Sequence, residues 1–245
     1  MQTLPRLNAQ YWVTLLLASV FGTNTGDFFA EGLNLGYFVG LPWIAAILAL
    51  VFIAERFSVW RSAVFFWAAI ITIRTGATNI GDIFHLYKIG FAISVPATLA
   101  VYMCCVWLYR RSWLASSTRA VSVGPTYWLT MIVAGILGTV GGDGASFGLR
   151  LTPSGTAIAF GTLALIAIVW WSRGGRISNP IPYWTTLALI RTCGTGGGDA
   201  LAHALDLGTS TVVMGILFVS AVLGFYVIEK GNQVRAGGID EQAAW

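Results

Sequence analysis

Charge is scarce in this sequence. Fourteen Lys and Arg and ten Asp and Glu make up 10% of 245 residues, against about 25% in a soluble domain. With a 56% hydrophobic composition and a mean hydropathy of +0.74, this excludes a soluble globular enzyme with a small anchor. Histidine and cysteine are nearly absent too, at two and three residues. Cys104, Cys105 and Cys193 fall in apolar stretches without metal-type spacing and read as packing residues. No CxxC pair, HExxH or nucleophile–base arrangement is present, and no Walker-type Lys follows the Gly-rich run 194–198. Zinc hydrolase, dithiol and P-loop chemistries are thereby excluded, and the chain is not expected to be an enzyme.

What the sequence does contain is one stretch written four times. An aromatic residue and a Trp open each copy, and a Gly-Asp pair closes it: Tyr11-Trp12 to Gly26-Asp27, Phe66-Trp67 to Gly81-Asp82, Tyr127-Trp128 to Gly142-Asp143, and Tyr183-Trp184 to Gly198-Asp199. The Asp always lies fifteen residues after the Trp. Four residues before the Asp stands Thr23, Thr78, Thr139 or Thr195, preceded by Gly22, Ala77, Gly138 or Gly194. Repetition on this scale fixes the architecture first.

Apolar runs of about 20 residues suit membrane spans. Eight are expected, near 10–30, 37–55, 63–86, 91–109, 125–148, 156–172, 182–205 and 209–228. They group into two-helix repeats over 1–57, 58–116, 117–176 and 177–232, forming one membrane domain, with an irregular cytoplasmic tail over 233–245. The expected fold is an all-α integral membrane protein of four tandem, parallel repeats with pseudo-twofold or pseudo-fourfold symmetry. The first run is not read as a removable signal, because it holds the first copy of the motif.

Basic residues set the expected orientation. Arg6, Arg56, Arg61, Arg110, Arg111, Arg119, Arg173, Arg176, Lys230 and Arg235 lie at the termini and between repeats, whereas the loops inside repeats hold only Lys88 and Arg150. The positive-inside rule then puts both termini in the cytoplasm. This distribution accounts for the +4 net charge without a nucleic-acid partner. All four motif helices run outward, and fifteen residues rise about 22 Å in a bilayer core of about 30 Å. The four Asp are therefore expected at one depth, beyond the midplane, as a ring. The Trp residues read as anchors at the cytoplasmic interface.

The second and fourth copies share further features. Arg74 and Arg191 stand eight residues before their Asp, where the first and third copies have Ser19 and Gly135. His85 and His203 follow their Asp within a turn. This pattern suggests a two-repeat unit duplicated once and favours twofold over strict fourfold symmetry.

Four tandem two-span repeats, each with a Trp and a Gly-Asp motif from Tyr11 to Ile228, resemble a bacterial membrane-protein family built from a repeat of unknown function. The resemblance implies an inner-membrane location and eight spans. It implies no established chemistry, so function rests on the residues.

A carboxylate inside a span costs about 2.5–3.5 kcal/mol on insertion scales, so it calls for a partner, a proton or a cation. One reading is a cation or proton site. In it Asp27, Asp82, Asp143 and Asp199 supply oxygens, and Thr23, Thr78, Thr139 and Thr195 add hydroxyls one turn earlier. Such hard ligands suit Mg²⁺, Ca²⁺ or Mn²⁺. The other is a packing device: Gly22/Gly26, Ala77/Gly81, Gly138/Gly142 and Gly194/Gly198 are small-xxx-small pairs, with each Asp capping a broken helix. Arg74 and Arg191 either compensate the Asp charges across repeats or form an anion-binding pair. Glu31, His85 and His203 could extend a metal site to the outer mouth. Two His could instead ligate a haem.

The leading expectation is a transporter or channel for a divalent cation or protons. A membrane scaffold that binds another membrane protein is the alternative, and a haem- or quinone-linked redox protein a weaker one. Expected partners are the lipid bilayer, a small inorganic ion, and a second copy or other membrane protein. No cofactor is fixed beyond a divalent metal as ligand or cargo.

Overall fold

The protein, described here by a computed structural model, is built of helices. The structure describes residues 4–5, 7–58, 63–116, 121–173 and 179–242; Arg6, Arg61, Arg119 and Arg176 lie outside them. Eight α-helices follow in order: α1 (Ala9–Asp27), α2 (Gly36–Phe57), α3 (Ala63–Leu86), α4 (Phe91–Ala115), α5 (Pro125–Asp143), α6 (Pro153–Arg173), α7 (Ile181–Leu205) and α8 (Leu207–Gln242). No strand occurs among the described residues.

Local chemistry explains several boundaries. The Asn8 side chain accepts the Tyr11 amide at 2.9 Å and starts α1. The turn inside each two-helix unit uses a non-Gly residue with positive φ: Asn34, Lys88 and Asp206 in the first, second and fourth, and both Arg150 and Thr152 in the third. Asp206 also caps α8, accepting the Thr209 amide and hydroxyl at 2.8 Å each. Those bonds hold its carboxyl below the usual carboxylate range. Most of the expected tail over 233–245 is helical, because α8 continues to Gln242, and residues 243–245 lie outside the described residues. Gly is the only strong helix breaker in that stretch, and no Pro ends the helix.

None of the motif helices breaks at its Gly-Asp. After Asp27 and Asp143 the chain widens into five-residue π-helical segments, Phe28–Gly32 and Gly144–Gly148. After Asp82 and Asp199 it continues as α-helix to Leu86 and Leu205. The division into first-and-third and second-and-fourth copies thus extends to the backbone.

The helices form two layers. The motif helices make the inner one: α1 packs on α3, α3 on α5, α5 on α7, and α7 back on α1. The outer helix of each unit lies on the next unit's motif helix, α2 on α3, α4 on α5, α6 on α7 and α8 on α1. Six helices have a segment long and apolar enough to cross a membrane: 36–57, 63–86, 91–115, 125–148, 153–170 and 207–228. The other two, α1 and α7, are 19 and 25 residues long. Their hydropathy is lowered by buried polar side chains, among them Thr14, Ser19, Thr23, Asn24, Arg191 and Thr195. A helix that turns polar groups inward can be less apolar overall than one facing outward.

Three levels of contact bind the inner ring. At the Trp end, successive aromatics Tyr11, Phe66, Tyr127 and Tyr183 lie 6.3–6.4 Å apart and close a circle. Each also packs on the next copy's Trp: Tyr11 on Trp67, Phe66 on Trp128, Tyr127 on Trp184 and Tyr183 on Trp12, at 5.3–5.9 Å. The Trp side chains expected as outward-facing anchors are thus turned onto their neighbours, and of the four only Trp128 is partly exposed. Trp12, Trp67 and Trp184 are buried, because the neighbouring copy's ring covers each one. Aromatic pairs contribute about 0.5–1.5 kcal/mol beyond area burial.

The two upper levels rest on small residues. Gly22 lies against Arg74, Gly135 against Ala77, Gly138 against Arg191, and Gly194 against Ser19. One turn on, a Cβ on Gly26, Gly81 or Gly142 would stand 2.7–2.8 Å from Cβ of Thr78, Thr139 or Thr195, and Gly198 abuts Thr23 and Asn24. The small-xxx-small pairs are helix contacts, as their spacing suggests.

Gly138→Ala tests this packing, because its Cβ would meet the Arg191 backbone carbonyl carbon at 2.8 Å. The expected loss is about 1–3 kcal/mol, the usual cost of overpacking, read as a lower unfolding temperature in detergent. Gly90→Ala meets nothing within 4 Å and should be silent.

Candidate functional site

The inner ring carries its polar residues in layers. One turn below the Asp residues lie Thr23, Thr78, Thr139 and Thr195, each about 1% exposed. Their hydroxyls do not line a cation cavity. The Arg74 guanidinium stands among them. Its Nη2 donates to Thr23 and Thr195 at 2.6 Å each, and its Nη1 to Thr139 at 2.8 Å and the Gly135 carbonyl at 3.0 Å. Nε reaches the Ser19 carbonyl at 3.3 Å. One side chain from α3 thus ties α1, α5 and α7 together, and none of its five bonds goes to a carboxylate. Arg74 lies within electrostatic reach of the Asp carboxyls, but its hydrogen bonds go to this threonine cradle rather than to them, since Arg side chains on a helix lean back toward its N-terminus.

Arg191 is likewise fully buried but differently placed. Its Nη2 meets the Met131 sulfur at 3.3 Å. Beneath lies a chain of three hydroxyls, with Tyr183 Oη 2.7 Å from Tyr11 and 2.8 Å from Tyr127.

Above the threonines the bundle opens into a pocket of about 390 Å³. Asp27, Asp82, Asp143 and Asp199 all line it, one from each motif helix, as do Glu31, His85 and His203. Seven residues singled out from the sequence are therefore brought together, while Arg74, Arg191 and the four Thr lie outside the lining. His85 Nε2 reaches from one motif helix to Asp143 Oδ2 on the next at 3.9 Å. His203 Nδ1 meets the Asp199 carbonyl at 2.7 Å, which leaves Nε2 for the pocket. Asp82 Oδ2 is buried without a hydrogen-bond partner among the described residues. Among the described residues no group of three His, Cys, Asp or Glu side chains could hold a metal ion.

Some lining residues escape a reading of the motif. Tyr37 on α2 donates its hydroxyl to Glu31 Oε1 at 2.9 Å, and Phe147 lines the opposite π-helical segment. Asn24 and Asn79, three residues before Asp27 and Asp82, are fully buried. Asn24 Nδ2 donates to Ser210 on α8 at 3.0 Å, whereas neither amide atom of Asn79 has a partner among the described residues. Their only sequence signal was an identical offset in two copies. A second cavity, about 600 Å³ and lined by α4, α5, α6 and α7, holds no titratable group.

Removing Arg74 should be costly, since hydrogen bonds to a charged group contribute about 1.5–3 kcal/mol each. Arg74→Met is expected to lower the unfolding temperature far more than Thr139→Val, which removes one acceptor. Equal stability of Arg74→Met and wild type would show that the cradle does not hold the ring.

The family described as Repeat of Unknown Function (DUF347) matches the chain at residues 10–59 and 182–230, the first and last copies of the motif. No curated protein and no solved structure matches the chain.

Proposed function

We propose, starting from the chain's membership in this repeat family, that the protein is a multi-pass bacterial membrane transporter that takes a cation into the four-Asp pocket. The cargo class is a divalent metal ion, protons, or one exchanged for the other. The observation that carries this reading is the meeting of four carboxylates, from four different helices, in one pocket of about 390 Å³. A packing device has no use for an ionisable group at that level. The glycines beside the Asp residues already supply the helix contacts.

On this reading all eight helices cross the inner membrane, α1 and α7 included, with both termini in the cytoplasm. The excess of Lys and Arg at the termini and between repeats supports that orientation. The pocket then opens to the outer side as an acidic vestibule, and the repeated ring contacts support pseudo-fourfold packing with a twofold pattern of Arg, His and π-helical segments. A negative vestibule raises the local concentration of cations before any ligand closes on them.

The layers beneath favour a carrier over an open channel. An ion moving down the axis meets a guanidinium bonded to three helices and then a closed circle of aromatic rings. Passage therefore needs helix movement, for which the π-helical turns after Asp27 and Asp143 offer natural sites. Metal would enter hydrated and gain protein ligands only as the vestibule narrows.

Purified protein in liposomes should accumulate Mn²⁺, Mg²⁺ or Ca²⁺, or move protons, in a saturable manner. Replacing all four Asp by Asn should abolish uptake, and single replacements should weaken it at least tenfold. Protons compete for the same oxygens, so binding should fall as the outer pH is lowered. Unchanged transport in the fourfold Asn variant sinks the reading.

A further inference from the structure

Arg191 presents a second and separate problem of charge. Its guanidinium is fully buried, yet Nε and Nη1 find no acceptor among the described residues. The contrast with Arg74 is direct: the same residue type at the same motif position has five hydrogen bonds there. The one bond Arg191 makes goes to a thioether, a weak acceptor. A buried cation without a counter-charge or acceptors is strongly disfavoured.

The surroundings of Arg191 are rich in donors. The Tyr11, Tyr127 and Tyr183 hydroxyls lie within its electrostatic reach, as does the Arg74 cation. Three hydroxyls joined by two hydrogen bonds leave one proton free to donate outward. The Ser19 hydroxyl, on the helix packed against α7, is buried without a partner among the described residues as well. The carboxylates that could balance the charge line the vestibule, with Arg74 and the threonines between. Arg191 and a set of uncommitted donors therefore lie below the Arg74 level with no anionic side chain beside them.

We propose that this layer binds a small monovalent anion of the halide class, held by the Arg191 guanidinium and by hydroxyls of the tyrosine chain. Tight packing limits its size. Gly138 lies against the Arg191 backbone and Gly194 against Ser19, so the helices touch on both sides of α7 and leave no room for a polyatomic organic anion. The ion is a structural counter-ion for Arg191, and its binding is independent of cation transport.

The test uses the full-length protein in detergent, exchanged from sodium gluconate into increasing sodium chloride or bromide at constant ionic strength. The unfolding temperature should rise by several degrees and saturate with either halide. Crystals grown in bromide should show an anomalous peak beside Arg191. Arg191→Met, which matches the neighbouring Met131 in character, should lose the halide dependence, and Tyr183→Phe should weaken halide affinity at least tenfold. A wild-type protein equally stable in gluconate and halide overturns the proposal, as does an Arg191 neighbourhood occupied by water alone in bromide crystals. Equal halide dependence in Arg191→Met also overturns it. Should that variant fail to fold, the wild-type titration and the bromide peak decide. A wild-type protein that binds halide but moves no cation in liposomes would refute the vestibule reading only.

Discussion

The contact on which the structure depends is between a small residue of one motif helix and a side chain of the next, repeated until it closes. Gly26, Gly81, Gly142 and Gly198 each take a threonine of the following copy, and the fourth returns to the first. Helices that touch this closely gain dispersion contacts along their whole length, which matters where no hydrophobic effect drives helix against helix. The same closeness brings four identical positions around one axis. Every layer of the interior is therefore written four times, and a difference in one copy becomes a difference in the axis itself.

The copies differ where the chemistry lies. Arginine enters from α3 and α7 only, and the facing helices carry glycine at the contact, Gly22 and Gly138. Four arginines at that level would not fit the space or the electrostatics, and none would leave the threonine hydroxyls without their donor. Two sit at separate heights: Arg74 is held by threonines and Arg191 lies above the tyrosines. Histidine follows the same alternation at the mouth, and the π-helical segments follow the opposite one.

Most of this order was legible before any coordinates. The motif spacing fixed which residues share a level, and the eight expected spans start within a few residues of the observed helices, although α4 and α8 run on past their expected ends to Ala115 and Gln242. That Asp27, Asp82, Asp143 and Asp199 line one pocket followed from helices of equal phase. Directions of side chains were not legible. A Trp near a helix start suits an interfacial anchor as well as a buried wedge, and only the neighbouring ring decides. An Arg two turns below an Asp suggested a counter-charge. The backward lean of helical side chains sends it to hydroxyls and carbonyls instead. Tyr37 belongs to an outer helix outside the repeated stretch, so no spacing could connect it to Glu31.

The threonine level has one further property. Thr23 commits its hydroxyl proton to the Ser19 carbonyl, and Thr195 its proton to the carbonyls of Gly138 and Arg191. With those protons committed to backbone carbonyls, Thr23 and Thr195 turn lone pairs to the axis, and Arg74 donates to both. The level has the chemistry of a coordination sphere whose ion is leashed to the chain and cannot leave.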